Sequence, residues 1–150
     1  MRIQIRSGGQ TGAAFDAAIR LNLPYTGWVP KGRLDEEGRI PERYGNLIEA
    51  PDAIPETRTA LNVRDANATL IVSHGPLHGG SAYTLLVAND LNKPCLHIDL
   101  DTTSPAAAAQ TLRQWIRDHQ VQTLNIAGPR ASHDPAIYQA ALHVLLQVLA

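Results

Sequence analysis

Two short runs in this chain are built to hold an anion, Ser7-Gly8-Gly9-Gln10-Thr11-Gly12 and Gly79-Gly80-Ser81. Each sits where a strand-like segment gives way to a helical one. In that geometry backbone N–H groups and the positive end of a helix converge on one point, usually on a phosphate. Glycines let the backbone approach a ligand closely, and Gln10 and Thr11 can add neutral hydrogen bonds. The first run matches neither G-x-G-x-x-G nor G-x-x-x-x-G-K-[ST], so taken alone it reads equally well as a tight turn without a ligand. Two further turns raise its meaning: Gly27-Trp28-Val29-Pro30-Lys31-Gly32-Arg33 and Gly128-Pro129-Arg130-Ala131-Ser132. One glycine loop is ordinary. Four at the ends of expected strands suggest a site.

The candidate ligand contacts are therefore Gly8, Gly9, Gln10, Thr11, Gly12, Trp28, Lys31, Arg33, Ser73, Gly75, Gly79, Gly80, Ser81, Gly128 and Arg130. Arg130 is the most suggestive cation, because nothing in a glycine-proline turn requires a guanidinium. Lys31 and Arg33 serve as phosphate ligands or as solvated loop charges, and Trp28 stacks on a flat heterocycle or packs into the core. Arg58 and Arg64 fall on an expected helix, Pro55–Asp65, where surface pairing with Glu56 or Asp65 is the simpler reading. Asn62 and Asp65, at the end of that helix, either reach the site or cap and turn the chain. His74 and His78 have a metal-like spacing that works only on a helix, and here glycine and proline intervene. No metal site is expected. The chain has no G-x-S-x-G elbow and suggests no Cys-His pair, and its paired carboxylates lie in Asp35-Glu36-Glu37. No catalytic residue is assigned. The set describes an anion-binding cleft better than a reaction centre.

Such residues need a scaffold, and the hydrophobic pattern supplies one. Residues 1–6, Tyr25–Val29, 68–72, 95–98 and Thr123–Ala127 have strand length and composition. They alternate with helical patterns at 13–23, 81–91, Pro105–Asp118 and 135–149. Ser104 is the expected N-cap of the third, with Pro105 at its first position, and Asp134 that of the last. Alternation of this kind predicts a doubly wound, mostly parallel sheet with helices on both faces, its ligands bound at the carboxyl ends of the strands. Residues 30–55 break the rhythm, either as a lid over that edge or as a solvated excursion. Leu142 and Leu146 fall off the main stripe of the last helix, and the 81–91 segment is apolar in excess. Together they predict a homo-oligomer.

Composition bounds the rest. At 150 residues the chain is one domain, residues 1–150, with 44% hydrophobic and 18% charged residues and a formal net charge of −1. That balance offers no general attraction to nucleic acid or to an anionic membrane. No apolar run is long enough to span a bilayer, and the opening residues carry no signal-peptide pattern. Cys95, the single cysteine, excludes an internal disulfide and reads as a core residue. A cytoplasmic protein is expected.

The motifs also carry a resemblance. Ser7 to Gly12, Gly27 to Arg33, Ile40-Pro41-Glu42-Arg43-Tyr44, Arg58-Thr59 with Asn62-Val63-Arg64-Asp65, Gly75 to Gly80, and Asn125 to Arg130 together resemble the molybdenum cofactor carrier proteins, in the same order from residue 3 to about residue 140. The resemblance implies a Rossmann-like fold related to the lysine decarboxylase-like (LOG) proteins and assembly as homo-oligomers. It implies as ligand the molybdenum cofactor (molybdopterin), a pterin with a dithiolene and a phosphate, and as partners molybdenum-enzyme apoproteins. The chain departs from the family pattern after Gly12, where a Val-Asp-Arg step is missing. That removes almost a helical turn and two charged groups from the mouth of the site.

Two rival functions remain open, a nucleotide-sensing module and a LOG-like phosphoribohydrolase. The latter carries P-G-G-x-G-T-x-x-E, whose glutamate serves catalysis. With Gly79-Gly80 set on its glycines, Leu86 falls at the glutamate. Leucine is no general base, so a binding protein is favoured over an enzyme.

Overall fold

The computed structural model describes residues 2–8, 12–35, 38–129 and 134–150. Among them, six strands form one wholly parallel sheet: β1 (Gln4–Arg6), β2 (Tyr25–Val29), β5 (Leu47–Glu49), β6 (Ala68–Ser73), β7 (Cys95–Asp99) and β8 (Thr123–Ala127), in the order β5-β2-β1-β8-β6-β7. Five helices cover it: α1 (Ala13–Arg20), α2 (Pro55–Asp65), α3 (Gly79–Asp90), α4 (Pro105–Asp118) and α5 (Ile137–Leu149). Helices α1 and α4 pack with α5, and α2 packs with α3. The expected α/β arrangement, Rossmann-like with a doubly wound parallel sheet, is the one observed.

The two faces of the sheet differ in chemistry. On one face Ile5, Leu124, Leu70, Ile126, Val72 and Ile98 form the core with the alanines of α1 and with Leu112, Leu142 and Leu145. Small residues at Ala13, Ala14, Ala17 and Ala18 let α1 lie close, and its apolar side is buried. The opposite face carries a polar row. Register pairs Arg6 with Asn125 and Asn125 with Thr69, and both Asn125 and Thr69 are buried. Side chains one residue apart along a strand point to opposite faces, so this row and the apolar core share the same strands.

Local signals placed most of the boundaries. Ser104 caps α4, its Oγ accepting from Ala107 N at 3.2 Å, with Pro105 in the first turn. Helix α1 ends at Arg20 rather than at residue 23, because Asn22 takes a left-handed φ of 55° and closes the turn. Asp134 does not cap α5 with its side chain; that carboxylate is engaged elsewhere and only its carbonyl accepts from Ile137 N.

The described residues of 30–55 are mostly exposed but include buried anchors at Ile40, Tyr44 and Ala50 and strand structure the pattern did not show. β3 (Leu34–Asp35) pairs antiparallel with β4 (Gly38–Arg39), and β5 joins the edge of the main sheet. Ile40 and Tyr44 are buried with Phe15 and Val29 in a second small core, where the Phe15 and Tyr44 rings lie 5.2 Å apart. Asp16 of α1 ties this segment down. It accepts hydrogen bonds from Tyr44 Oη at 2.7 Å and from Tyr138 Oη, with Arg43 at 3.6 Å. Burial, and then that carboxylate, push the Tyr44 hydroxyl up to about 12.

Candidate functional site

Two clefts open side by side at the carboxyl edge of the sheet. The first is walled by Ser7 and Gly8 after β1, by Asn125 and Gly128 at the end of β8, by Arg58, Thr59 and Asn62 of α2, and by Thr84 of α3. Its chemistry is polar and its walls are buried: Arg58 is 7% exposed, Asn62 2% and Asn125 3%. Arg58 crosses directly over Gly8. A Cβ at that glycine would lie 2.2 Å from Arg58 Nη1, so only glycine admits the guanidinium there. Gly128 is demanded in the same way by Val72 O, 2.7 Å from where its Cβ would stand.

Asn62 fixes α2 against the sheet. Its Oδ1 accepts from Trp28 N at 2.8 Å and its Nδ2 donates to Trp28 O at 3.0 Å. The pairing of β1 with β2 ends at Arg6 and Thr26, so the amide side chain takes the place of a missing strand. Arg58 lies one turn earlier on the same side of the helix, and the clip therefore also sets its position. Below it, Asp65 accepts from Arg64 Nε at 2.7 Å and from the Trp28 indole at 2.8 Å, and lies 3.9 Å from Arg6. Arg64 foremost, with Trp28 and Arg6, holds the Asp65 carboxyl at about 2.

The second cleft has a volume of about 240 Å³ and is lined by Ser73, His74, His78, Ser81, Pro129 and Asp134, with Pro76 and Leu77. His74 Nδ1 lies 2.6 Å from Asp134 Oδ2, linking the loop after β6 to the start of α5. Ser73 Oγ donates to Gly75 O at 2.8 Å and lies 2.7 Å from His97 Nε2. Gly75, at φ 88°, directs its N–H to Asp99 Oδ1 at 2.7 Å. That amide, then the Asp101 amide, keeps the Asp99 carboxyl below the usual carboxylate range. Helix α3 opens with Gly79 and Gly80, both exposed, and a Cβ on either would meet nothing within 4 Å. Among the described residues no side chain caps this end of α3, which leaves its first amides available as hydrogen-bond donors.

The structure thus brings Gly8 and Gly128 to the first cleft. Ser73 and Ser81 line the second, with Gly75 in the adjoining loop and Gly79 and Gly80 at the start of α3. Gly12, Trp28, Lys31 and Arg33 line neither. Gly12 precedes α1 at φ 76°, and Trp28 is tied to Asn62 and Asp65. Arg33 spends its guanidinium on the carbonyls of Pro41 and Tyr44, each at 3.1 Å, while Lys31 is exposed. Gly9, Gln10, Thr11 and Arg130 lie outside the described residues. Arg58, expected on the helix surface, is instead buried over Gly8, whereas Arg64 does pair with Asp65. Thr59, Thr84 and Asn125, which also line the first cleft, were not among the candidate ligand contacts. Their signal was a polar residue at each position where a covered face expects an apolar one.

Residues 5–149 match the family described as the circularly permutated YpsA SLOG family. The chain belongs to it. A crystal structure of a "Putative molybdenum carrier protein" from Syntrophus aciditrophicus SB is 53% identical, with a TM-score of 0.96 over 99% of this chain and 96% of that one. Among curated proteins none matches. In this SLOG chain Leu86, the residue at the rival enzymes' glutamate, is 54% exposed on α3 and lines neither cleft. No helix among the described residues is long and apolar enough to cross a membrane.

Proposed function

We propose that this SLOG protein binds and carries a small anionic ligand, the molybdenum cofactor, across the two clefts at the carboxyl edge of its sheet. The observation that carries this reading is Arg58, a buried cation held over Gly8 in a polar cleft beside the uncapped start of α3. A guanidinium and a helix N-terminus both favour a phosphate, and the second cleft leaves room for a ring system beside it. Cofactor held in this way would be handed to molybdenum-enzyme apoproteins. Self-association is part of the proposal, through α3 rather than α5. Leu142 is buried within the subunit, whereas Leu86 and Leu91 on α3 are 54% and 43% exposed.

The test is calorimetric titration with molybdenum cofactor and, separately, with a nucleoside monophosphate, on wild type and Gly80→Val. A Cβ there meets no described atom within 4 Å, so the fold should survive while the space before α3 fills. Cofactor affinity should fall by about tenfold or more, the scale of one lost hydrogen bond to a charged group. Unchanged cofactor binding in Gly80→Val would move the ligand away from α3. Release of free base from the nucleotide would replace the carrier reading with the hydrolase.

A further inference from the structure

At the opposite edge of the sheet, where the strands begin, a groove of about 450 Å³ lies among the start of the chain, α4 and the end of α5. Its floor is apolar, built from Ile3, Ile116, Val148 and Leu149. Its rim carries three arginines, Arg2, Arg113 and Arg117. Arg6, Arg39, Arg43 and Arg64 all face carboxylates, but among the described residues none of the three rim arginines has an ion pair. Arg113 donates to Gln147 O at 2.9 Å and Arg117 to Gln114 Oε1 at 3.1 Å, both neutral acceptors. Asp118, the nearest carboxylate in sequence, is occupied by Gln114 Nε2 at 2.7 Å. Three guanidiniums without an ion pair among the described residues thus ring one apolar floor.

We infer that this groove is a second binding site, which takes a small amphiphile with an apolar body and a single anionic head. The floor removes hydrocarbon from water while the head meets the arginine rim, where a carboxylate or phosphate accepts charge-assisted hydrogen bonds. The volume falls in the range of small-molecule pockets. Strand direction separates it from the clefts, so both sites can be filled at once.

The probe is decanoate below its micellar concentration, titrated calorimetrically into the full chain, with decanol as the uncharged partner of equal length. Saturable binding of one decanoate per chain is expected. Arg113→Gln with Arg117→Gln should weaken it by about tenfold or more with little change in melting temperature, since both residues are exposed. Decanol should bind about tenfold more weakly than decanoate, and Gly80→Val should bind decanoate as wild type does. Equal decanoate affinity in the double variant, equal affinity for decanol, or loss on Gly80→Val would each overturn the inference. So would the absence of saturable binding, including exclusion of the probe by a second copy of the chain seated on the groove.

Discussion

Replacing Asn62 by alanine should cost more than any surface reading of α2 suggests. The side chain is 2% exposed and serves both backbone groups of Trp28, accepting from its N–H at 2.8 Å and donating to its carbonyl at 3.0 Å. Alanine leaves that donor and that acceptor without partners in a partly buried place. An unsatisfied buried group costs about 1–3 kcal/mol, and partial access to water places each in the lower half of that range. The expected loss is about 2–4 kcal/mol, or roughly 5–15 °C in melting temperature for a domain of this size. Urea unfolding followed by circular dichroism measures it directly. The midpoint should fall while the slope stays constant, because the same surface is exposed on unfolding. Asn62→Asp should be no better, since it keeps the acceptor but sets a second oxygen against the Trp28 carbonyl. Ligand affinity should fall in both variants, because Arg58 sits one turn earlier on the helix that the clip anchors. A loss below about 0.5 kcal/mol, the scale of an ordinary surface change, would refute the argument that Asn62 replaces a strand.

Two further outcomes are expected. Gly79→Ala should destabilise by about 1–2 kcal/mol because φ is 57° there, whereas Gly80→Ala, in ordinary helical geometry, should be neutral or gain up to about 1 kcal/mol; equal thermal shifts in the two variants would contradict the left-handed start of α3. Asp65, held at about 2 against an ordinary 3.8, adds stability that is present above pH 4 and lost as pH falls through about 2. Its side chain is 26% exposed, so solvent limits the effect to roughly 1 kcal/mol. Asp65→Asn should flatten that part of the acid-unfolding curve, and an unaltered curve would show the ion pairs to be without consequence.

What the sequence made legible follows from which interactions are local. β6 is buried at every position and reads as a mostly apolar run, and Ser104-Pro105 announces α4 through a cap three residues long. The glycines at 79 and 80 are legible for the same reason, since they lie in the turn they shape. β3, β4 and β5 have two or three residues each, too few for a period to appear. The burial of Ile40 and Tyr44 depends on Phe15, distant in the chain. Arg58 was illegible because its helix also carries Glu56 and Asp65, which offer it an ordinary surface explanation. Only Gly8, 50 residues earlier, shows where it goes.

The contrast between the two sheet faces links that blind spot to function. Polar groups cost free energy to bury unless they are bonded, so a chain selected for stability alone would make both faces of a covered sheet apolar. Here one face follows that rule, while the other sets Arg6, Asn125 and Thr69 side by side. Asn125 Nδ2 donates to Thr69 Oγ1 at 3.3 Å, and Asn62 is satisfied by Trp28. The row is bonded along part of its length and then opens, at the carboxyl edge, into the cleft under Arg58. A polar layer of this kind gains little in packing over an apolar one, and it leaves hydrogen-bonding groups oriented at the carboxyl edge, as the proposed ligand site requires. The same three central strands, β1, β8 and β6, therefore carry two different surfaces. Alternation along each strand assigns the main apolar core to the α1–α4–α5 side and the polar row, with the proposed recognition chemistry, to the α2–α3 side.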